Sequence, residues 1–421
     1  MPKLPLRSVL PVLLAINLCC YMDRYIMVAV MKSIKTEFLP HDPDANSHAG
    51  LLTMVFLISY MILAPILGKL ADHYSRWLII GISVAFWSLA CGASGLATSF
   101  TMLLLTRVFL GVGEAGYAPT APVLISECYP VEKRGRAMTL FYIALPVGSA
   151  LGFAFGGWSG EMWGWRTPFF CMAPIGLLLS LICFWMPEPT RQTHVPQLDA
   201  SEPEKLSIAA TYGVILRIPS LVANMAAQAA MTFAVGGLAA WAPIYFQEDR
   251  GLSQDQAGMI FGAITAGAGL LSTVTGGWLA DRLRPKMKGA YFFVSGVGML
   301  LGFPAVVGML YLPLMWAWVM VFLAIFFLFL NAGPCNTAIA NVTPLPLRAS
   351  AFGLNVLTCH LLGDALSPWL IGWIKDHSNW TQSFLAVSVI MLVSGVIWLA
   401  SMKLLVRDTE VETQAEDVAT S

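Results

Sequence analysis

An all-α, polytopic membrane protein with twelve transmembrane helices is the fold class this sequence predicts, on three observations. Of its 421 residues 57% are hydrophobic and only 11% are charged, whereas a soluble domain carries about 25% charged residues. The apolar residues fall in runs of about 20, the length of a bilayer-spanning helix. A membrane barrel would show alternating segments of about ten residues instead. The chain also repeats itself. GKLAD at 68–72 returns as GWLAD at 277–281, and PVEKRGRAMTL at 130–140 returns as PLPLRASAFGL at 344–354, at nearly the same offset.

Taken in order, the spans are expected at 8–31, 48–71, 78–98, 101–126, 137–160 and 167–186, then at 218–246, 255–279, 289–310, 313–340, 350–374 and 381–404. Residues 1–186 and 218–407 form the two halves. Between them, 187–217 is a polar, Pro-rich linker, and 408–421 is an acidic, polar tail expected to be disordered. With the N-terminus in the cytoplasm, seventeen Lys and Arg residues fall on inner segments and five on outer ones. That bias sets both termini in the cytoplasm. The first apolar run has no small-residue cleavage site and carries Asp23 and Arg24, so it is read as a span and not as a signal peptide.

Composition excludes several functions. Acidic and basic residues balance at 24 each, so nothing points to nucleic acid. The eight cysteines lie mostly in apolar runs without paired or metal-ligand spacing, and read as free core thiols. No metal-ligand cluster and no P-loop is present, so no enzyme, metal, cofactor or ATP-driven pump is expected.

Chemistry is expected where ionisable residues lie at membrane depth, because such groups are costly there and mark substrate or ion pathways. LTRVFLGVGEAGYAP at 105–119 holds Arg107 and Glu114, two turns apart on one helix face. YMDRY at 21–25 holds Asp23 and Arg24. At 1.5 Å per residue, Asp23 and Arg107 both lie about 8–9 Å from the outer edge, and Glu114 lies about 10 Å deeper. Asp23 and Arg107 are thus level and able to pair. One reading is a proton switch, in which protonation of Asp23 frees Arg107 for Glu114 or an anionic headgroup. The other is a permanent ion pair locking spans one and four.

Arg24 points about 100° away from Asp23 and shares a face with Asn17 and Tyr21. It either holds an anionic group of the substrate or pairs and snorkels elsewhere. His360 and Asp364, one turn apart in span eleven, are either a second proton or headgroup site or a structural pair. Small residues after Pro146, including Gly148, Gly152 and Gly156, are expected to let span five pack closely against a neighbour.

At GKLADHYSRW the sequence resembles the major facilitator superfamily, through Gly68, Leu70, Ala71, Asp72 and Arg76. The resemblance covers the whole chain and implies two six-helix bundles rocking about a central cavity. It also implies gating roles for Gly68, Asp72 and Arg76, with Asp281 in the second copy, where Pro285 replaces the Arg. Within that superfamily YMDRY, GVGEAGYAPTAP at 111–122 and FYIALPVGSALG at 141–152 resemble the Spinster family of lipid transporters. The neighbouring organic anion symporters carry similar Asp-Arg and Arg/Glu pairs, but GEAGY followed by PVGSALG favours Spinster. The resemblance implies coupling roles for Asp23, Arg107 and Glu114. Substrate contact is expected from Arg24, Asn17, Tyr21, Tyr117, His360 and Asp364.

The resulting expectation is a monomeric, proton-coupled secondary transporter in a bacterial inner membrane. It would move an amphipathic lipid, such as a lysophospholipid or sphingoid phosphate, by alternating access. A symporter of small organic anions such as sugar acids is the alternative. A receptor or channel without coupled transport is the alternative from another class. The proton gradient would be the energy source.

Overall fold

Lipid offers no partner for backbone N–H and C=O groups, so an apolar chain meets them within each segment by forming helix. The computed structural model describes residues 8–129, 131–188, 208–344 and 347–420. The first half begins with α1 (Val9–Ala29), a short α2 (Met31–Phe38), α3 (Ala45–His73) and α4 (Arg76–Gly95). It continues through α5 (Phe100–Tyr117), α6 (Thr120–Cys128), α7 (Val131–Trp163) and α8 (Thr167–Phe184). Side-chain oxygens of Ser75 and Ser99 cap α4 and α5 by accepting from Leu78 and Met102 N–H, meeting donors that a helix start leaves open.

The second half holds α9 (Ile208–Ile215), α10 (Pro219–Glu248), α11 (Gln254–Leu283), α12 (Ala290–Tyr311) and α13 (Leu314–Phe329). It ends with α14 (Ala332–Val342), α15 (Arg348–Cys359), α16 (Ser367–His377), α17 (Trp380–Ala400) and α18 (Met402–Thr420). Among the described residues eleven helical stretches are long and apolar enough to cross a membrane, with α5–α6 and α13–α14 each counted as one.

Two expectations are corrected. The span at 350–374 is not one helix. It breaks between α15 and α16 at a π-helical turn, His360–Asp364, where Gly363 leaves helical geometry (φ −103°, ψ −105°). A Cβ at Gly363 would lie 2.1 Å from Thr232 Oγ1, so the kink also depends on close approach to α10. Thr232 Oγ1 donates to the Cys359 carbonyl at 3.0 Å, at the edge of the break. The acidic C-terminal segment is helical to Thr420 and not disordered. Its Ala, Glu and Gln residues favour helix, and Asp408 Oδ2 accepts the Ser220 backbone N–H at 2.9 Å. The expected linker lies largely outside the described residues.

The chain divides into two compact units. One gathers Met1–Val195, Ala239–Ala266 and Pro368–His377; the other gathers Pro196–Leu238, Gly267–Ser367 and Ser378–Ser421. In the first unit α1 packs on α7, α3 on α5, and α4 on both α5 and α8. Gly148, Gly152 and Gly156 form the expected seam: a Cβ at Gly152 would come within 2.7 Å of the Met22 carbonyl of α1. In the second unit α12 packs between α13 and α17.

Candidate functional site

Successive residues on a helix point about 100° apart, so Asp23 and Arg24 on α1 meet different neighbours. Arg24 turns to α5. Its Nη2 and Nε donate to Glu114 Oε2 at 2.5 and 2.9 Å. The Arg24 side chain keeps 23% of its surface exposed, while that of Glu114 keeps 1%. Three aromatic rings surround the guanidinium: Phe56 at 4.9 Å, Tyr21 at 5.4 Å and Tyr60 at 5.6 Å to the ring centres. Cations over aromatic faces gain about 0.5–2 kcal/mol each.

Phe56 and Tyr60 lie one turn apart on α3, and they reach Arg24 because α3 runs close to α5. Gly111 permits that approach, since a Cβ there would lie 2.2 Å from Ser59 Oγ and 2.3 Å from the Phe56 carbonyl. Residues 56–60 carry no charge that would mark this role. The i, i+4 aromatic pair opposite a glycine was the available signal.

Asp23 turns instead to α4. Its Oδ1 accepts from the Cys91 thiol at 3.4 Å. Arg107 also reaches α4, where its Nη2 donates to Ser94 Oγ at 2.5 Å, and its guanidinium lies 5.5 Å from the Phe169 ring. Asp23 and Arg107 therefore meet α4 one turn apart, as their equal heights imply. No ion pair joins them, however, because α4 supplies a separate partner to each. The expected Asp23–Arg107 pair is replaced by an Arg24–Glu114 pair. Two buried polar atoms of this cluster, Arg107 Nε and Glu114 Oε1, have no hydrogen-bond partner.

The other expected substrate residues separate into two groups. Asn17 Nδ2 donates to the Phe141 carbonyl at 3.0 Å, and Tyr117 Oη donates to the Leu13 carbonyl at 2.7 Å. Both side chains are buried and tie α1 to its neighbours. In the second unit His360 Nδ1 lies 2.9 Å from Asp364 Oδ1, with about a quarter of each side chain exposed. This pair forms the π-helical turn, an irregularity often found at functional sites.

Of the residues expected to gate, Gly68 packs beneath the Pro119 ring, and the Asp72 side chain lies outside the described residues. Arg76 pairs with Glu127 of α6, and Glu188 Oε1 accepts the Arg76 backbone N–H at 3.0 Å. Glu127 and Glu188 are thus partners that the motif alone did not indicate. Asp281 accepts from Tyr291 Oη at 3.1 Å. Among the described residues no group of three or more His, Cys, Asp or Glu side chains converges to hold a metal ion.

The cluster's chemistry follows from its charges. Two carboxylates and two guanidiniums balance when all are ionised. An anion arriving at Arg24 competes with Glu114, and one added proton on a carboxylate restores the balance.

Comparison with known proteins agrees with this architecture. Residues 13–368 match the model of the Major Facilitator Superfamily. Human protein spinster homolog 1 is 33% identical over 403 residues, covering 90% of this chain and 75% of the human one. The mouse sphingosine-1-phosphate transporter SPNS2 is 30% identical over 378 residues, covering 86% of this chain and 68% of its own. Among solved structures, a bacterial homolog of the human lysosomal transporter Spinster, inward-facing and unoccupied, superposes with a TM-score of 0.85 at 22% identity, covering 96% of this chain and 98% of that one. A D-xylose–proton symporter superposes with a TM-score of 0.75 at 18% identity, covering 93% of this chain and 96% of its own. The chain is a multi-pass membrane transporter of the Major Facilitator Superfamily and belongs, within it, to the Spinster family.

Proposed function

We propose that this protein is a proton-coupled transporter of an amphipathic lipid with an anionic headgroup, a lysophospholipid or sphingoid phosphate, and that Arg24 is the headgroup contact. The observation that carries the reading is the Arg24–Glu114 pair. Arg24 is partly exposed and ringed by aromatic side chains, while its partner Glu114 is fully buried. A planar guanidinium suits a phosphate because it donates two parallel hydrogen bonds. The mouse relative named as a sphingosine-1-phosphate transporter supports the lipid class.

Coupling follows from exchange. While Glu114 is ionised it holds Arg24. Protonating Glu114 weakens that hold and releases the guanidinium to a phosphate. Proton and anion binding therefore favour each other, and by linkage each raises the affinity for the other. Lipid binding accordingly weakens as pH rises through the range in which the cluster gives up its proton. Asp23, which accepts from Cys91, and Arg107, which donates to Ser94 and faces the Phe169 ring, are the second carboxylate–guanidinium set that can change partners in the same cycle.

The test is flux into liposomes. Purified protein should move a radiolabelled lysophospholipid faster under an imposed pH gradient and leave a sugar acid such as gluconate behind. Gradient-driven flux of the sugar acid alone would favour the organic-anion reading. Binding without flux would favour a receptor.

A further inference from the structure

The two copies of the repeated loop differ in charge. In the first, 72–79 reads DHYSRWLI, with Asp72 offset by Arg76. In the second, 281–288 reads DRLRPKMK, with four cations and one carboxylate, a net of +3. Arg76 of the first copy is buried against Glu127, whereas Arg282, Arg284, Lys286 and Lys288 are all exposed.

Their depth is fixed by the helix that delivers them. Leu271, Val274 and Trp278 of α11 are 54%, 73% and 59% exposed. At spacings of three and four they form one apolar stripe, and Arg282 continues it by one turn with its guanidinium 5.5 Å from the Trp278 ring. Tryptophan at the end of a lipid-facing stripe marks the headgroup level. The cations therefore stand where lipid phosphates stand, on the face that the basic-residue bias places in the cytoplasm.

Beside them is a surface cavity of about 510 Å³, lined by Asp281, Arg284, Pro285, Lys288, Thr409 and Glu410 among others. Its far wall is α18, whose 402–420 segment carries five acids and two bases, a net of −3. Glu410 Oε1 meets Lys288 Nζ at 2.6 Å, although both side chains are more than half exposed. An ion pair that exposed holds weakly. Asp281 accepts from Tyr291 Oη, and the Arg284 guanidinium lies 5.6 Å from the same ring.

We propose that this cavity binds the phosphodiester headgroup of an anionic phospholipid from the inner leaflet, between Arg284 and Lys288, and that Glu410 of α18 covers the site and is displaced on binding. The site is separate from the transport cluster and does not depend on the transported substrate. Basic clusters just inside a transmembrane helix gain from anionic lipid with each cation, and two cations together gain more than an exposed Lys–Glu pair supplies. The charges of loop and helix are equal and opposite, as expected of a cover that mimics the ligand.

The experiment titrates dihexanoyl phosphatidylglycerol into purified full-length protein in neutral detergent and follows the thermal unfolding midpoint, since a ligand of the folded state raises it. Dihexanoyl phosphatidylcholine and inorganic phosphate are parallel arms. Phosphatidylglycerol should stabilise the wild type, while the other two leave the midpoint in place. Its half-effect concentration should rise about tenfold or more in Arg284→Gln/Lys288→Gln, and should fall severalfold in Glu410→Gln. Equal half-effect concentrations in all three proteins would place the headgroup elsewhere and overturn the proposal. Inorganic phosphate acting as well as the lipid would make this a general anion site and overturn the lipid assignment. Weaker binding in Glu410→Gln would make α18 part of the site and overturn its role as a cover. If the double variant does not fold, the surface change Glu410→Gln decides alone: tighter binding supports the proposal, and unchanged binding overturns it.

Discussion

Two sets of charges in the same unit are completed to different degrees. Asp376 at the end of α16 accepts four hydrogen bonds. Asn46 N–H and Nδ2 reach one oxygen at 3.1 and 2.7 Å, and Ser47 N–H and Oγ reach the other at 2.7 and 2.6 Å. The carboxylate thus closes the first turn of α3, where free N–H groups and the helix dipole favour an anion. Lys35 Nζ extends the network to Asn46 Oδ1 and Glu248 Oε1, at 2.6 and 2.7 Å. At membrane depth the opposite holds. Asp23 has a thiol, Arg107 has a hydroxyl and a ring face, and Arg107 Nε and Glu114 Oε1 have no partner. A saturated network fixes one arrangement, whereas a part-satisfied one loses little by exchanging partners. The Asp376 set is therefore read as a fastening and the Asp23–Glu114 set as the element that changes.

Removing Arg24 separates these readings most strongly. Arg24→Ala leaves the buried Glu114 carboxylate alone, which costs about 3–5 kcal/mol, and denaturant unfolding should show a loss of that size together with lost lipid binding. Arg24→Ala/Glu114→Ala should recover much of the stability and none of the binding. Recovery of both would make the pair merely structural. Asp376→Asn should lower stability by about 1.5–3 kcal/mol, the worth of charge-assisted bonds, while the pH dependence of lipid binding stays in place. A shift in that pH dependence would erase the distinction between the two sets.

Gly111→Ala pushes α3 off α5 and carries Phe56 and Tyr60 away from Arg24. About 1–3 kcal/mol of overpacking is expected in thermal unfolding, with weaker lipid binding beside it. The smallest effect concerns Glu37 on α2. Hydrogen bonds from Arg166 lead in holding its carboxyl below the usual 4.5, and Trp165 adds to them. A depressed carboxylate stabilises fully above its unfolded value, and that contribution disappears as pH falls through its folded value. Glu37 and Arg166 are 41% and 34% exposed, so the contribution stays below about 1 kcal/mol. The melting-temperature difference between wild type and Glu37→Gln should be present at neutral pH and close as the solution is acidified below pH 4.5.

The sequence made the spans legible because run length and polarity decide them, and it made Asp23, Arg24, Arg107 and Glu114 conspicuous because charge is rare in lipid. Heights along a helix were also legible, and Asp23 and Arg107 do meet α4 one turn apart. Partners were not, because they depend on how each helix is turned toward its neighbours. The approach of α3 at Gly111 and the placing of Cys91 and Ser94 on α4 decide which charges meet. The break at His360–Asp364 left weak traces in Gly363 and Pro368, inside a stretch whose apolar run suggested one span. The Asn46–Asp376 contact joins residues 330 positions apart, beyond the reach of any local pattern.

The central claim is that an anionic headgroup at Arg24 and a proton on the cluster arrive together. Its most direct test adds lysophosphatidic acid to purified protein in weakly buffered detergent and follows pH with an indicator dye. Lipid binding should draw protons from solution, about one per lipid bound if a single carboxylate rebalances the charge, and Glu114→Gln should remove that uptake. Saturating lipid with no proton uptake, or uptake unchanged in Glu114→Gln/Asp23→Asn, would contradict the account.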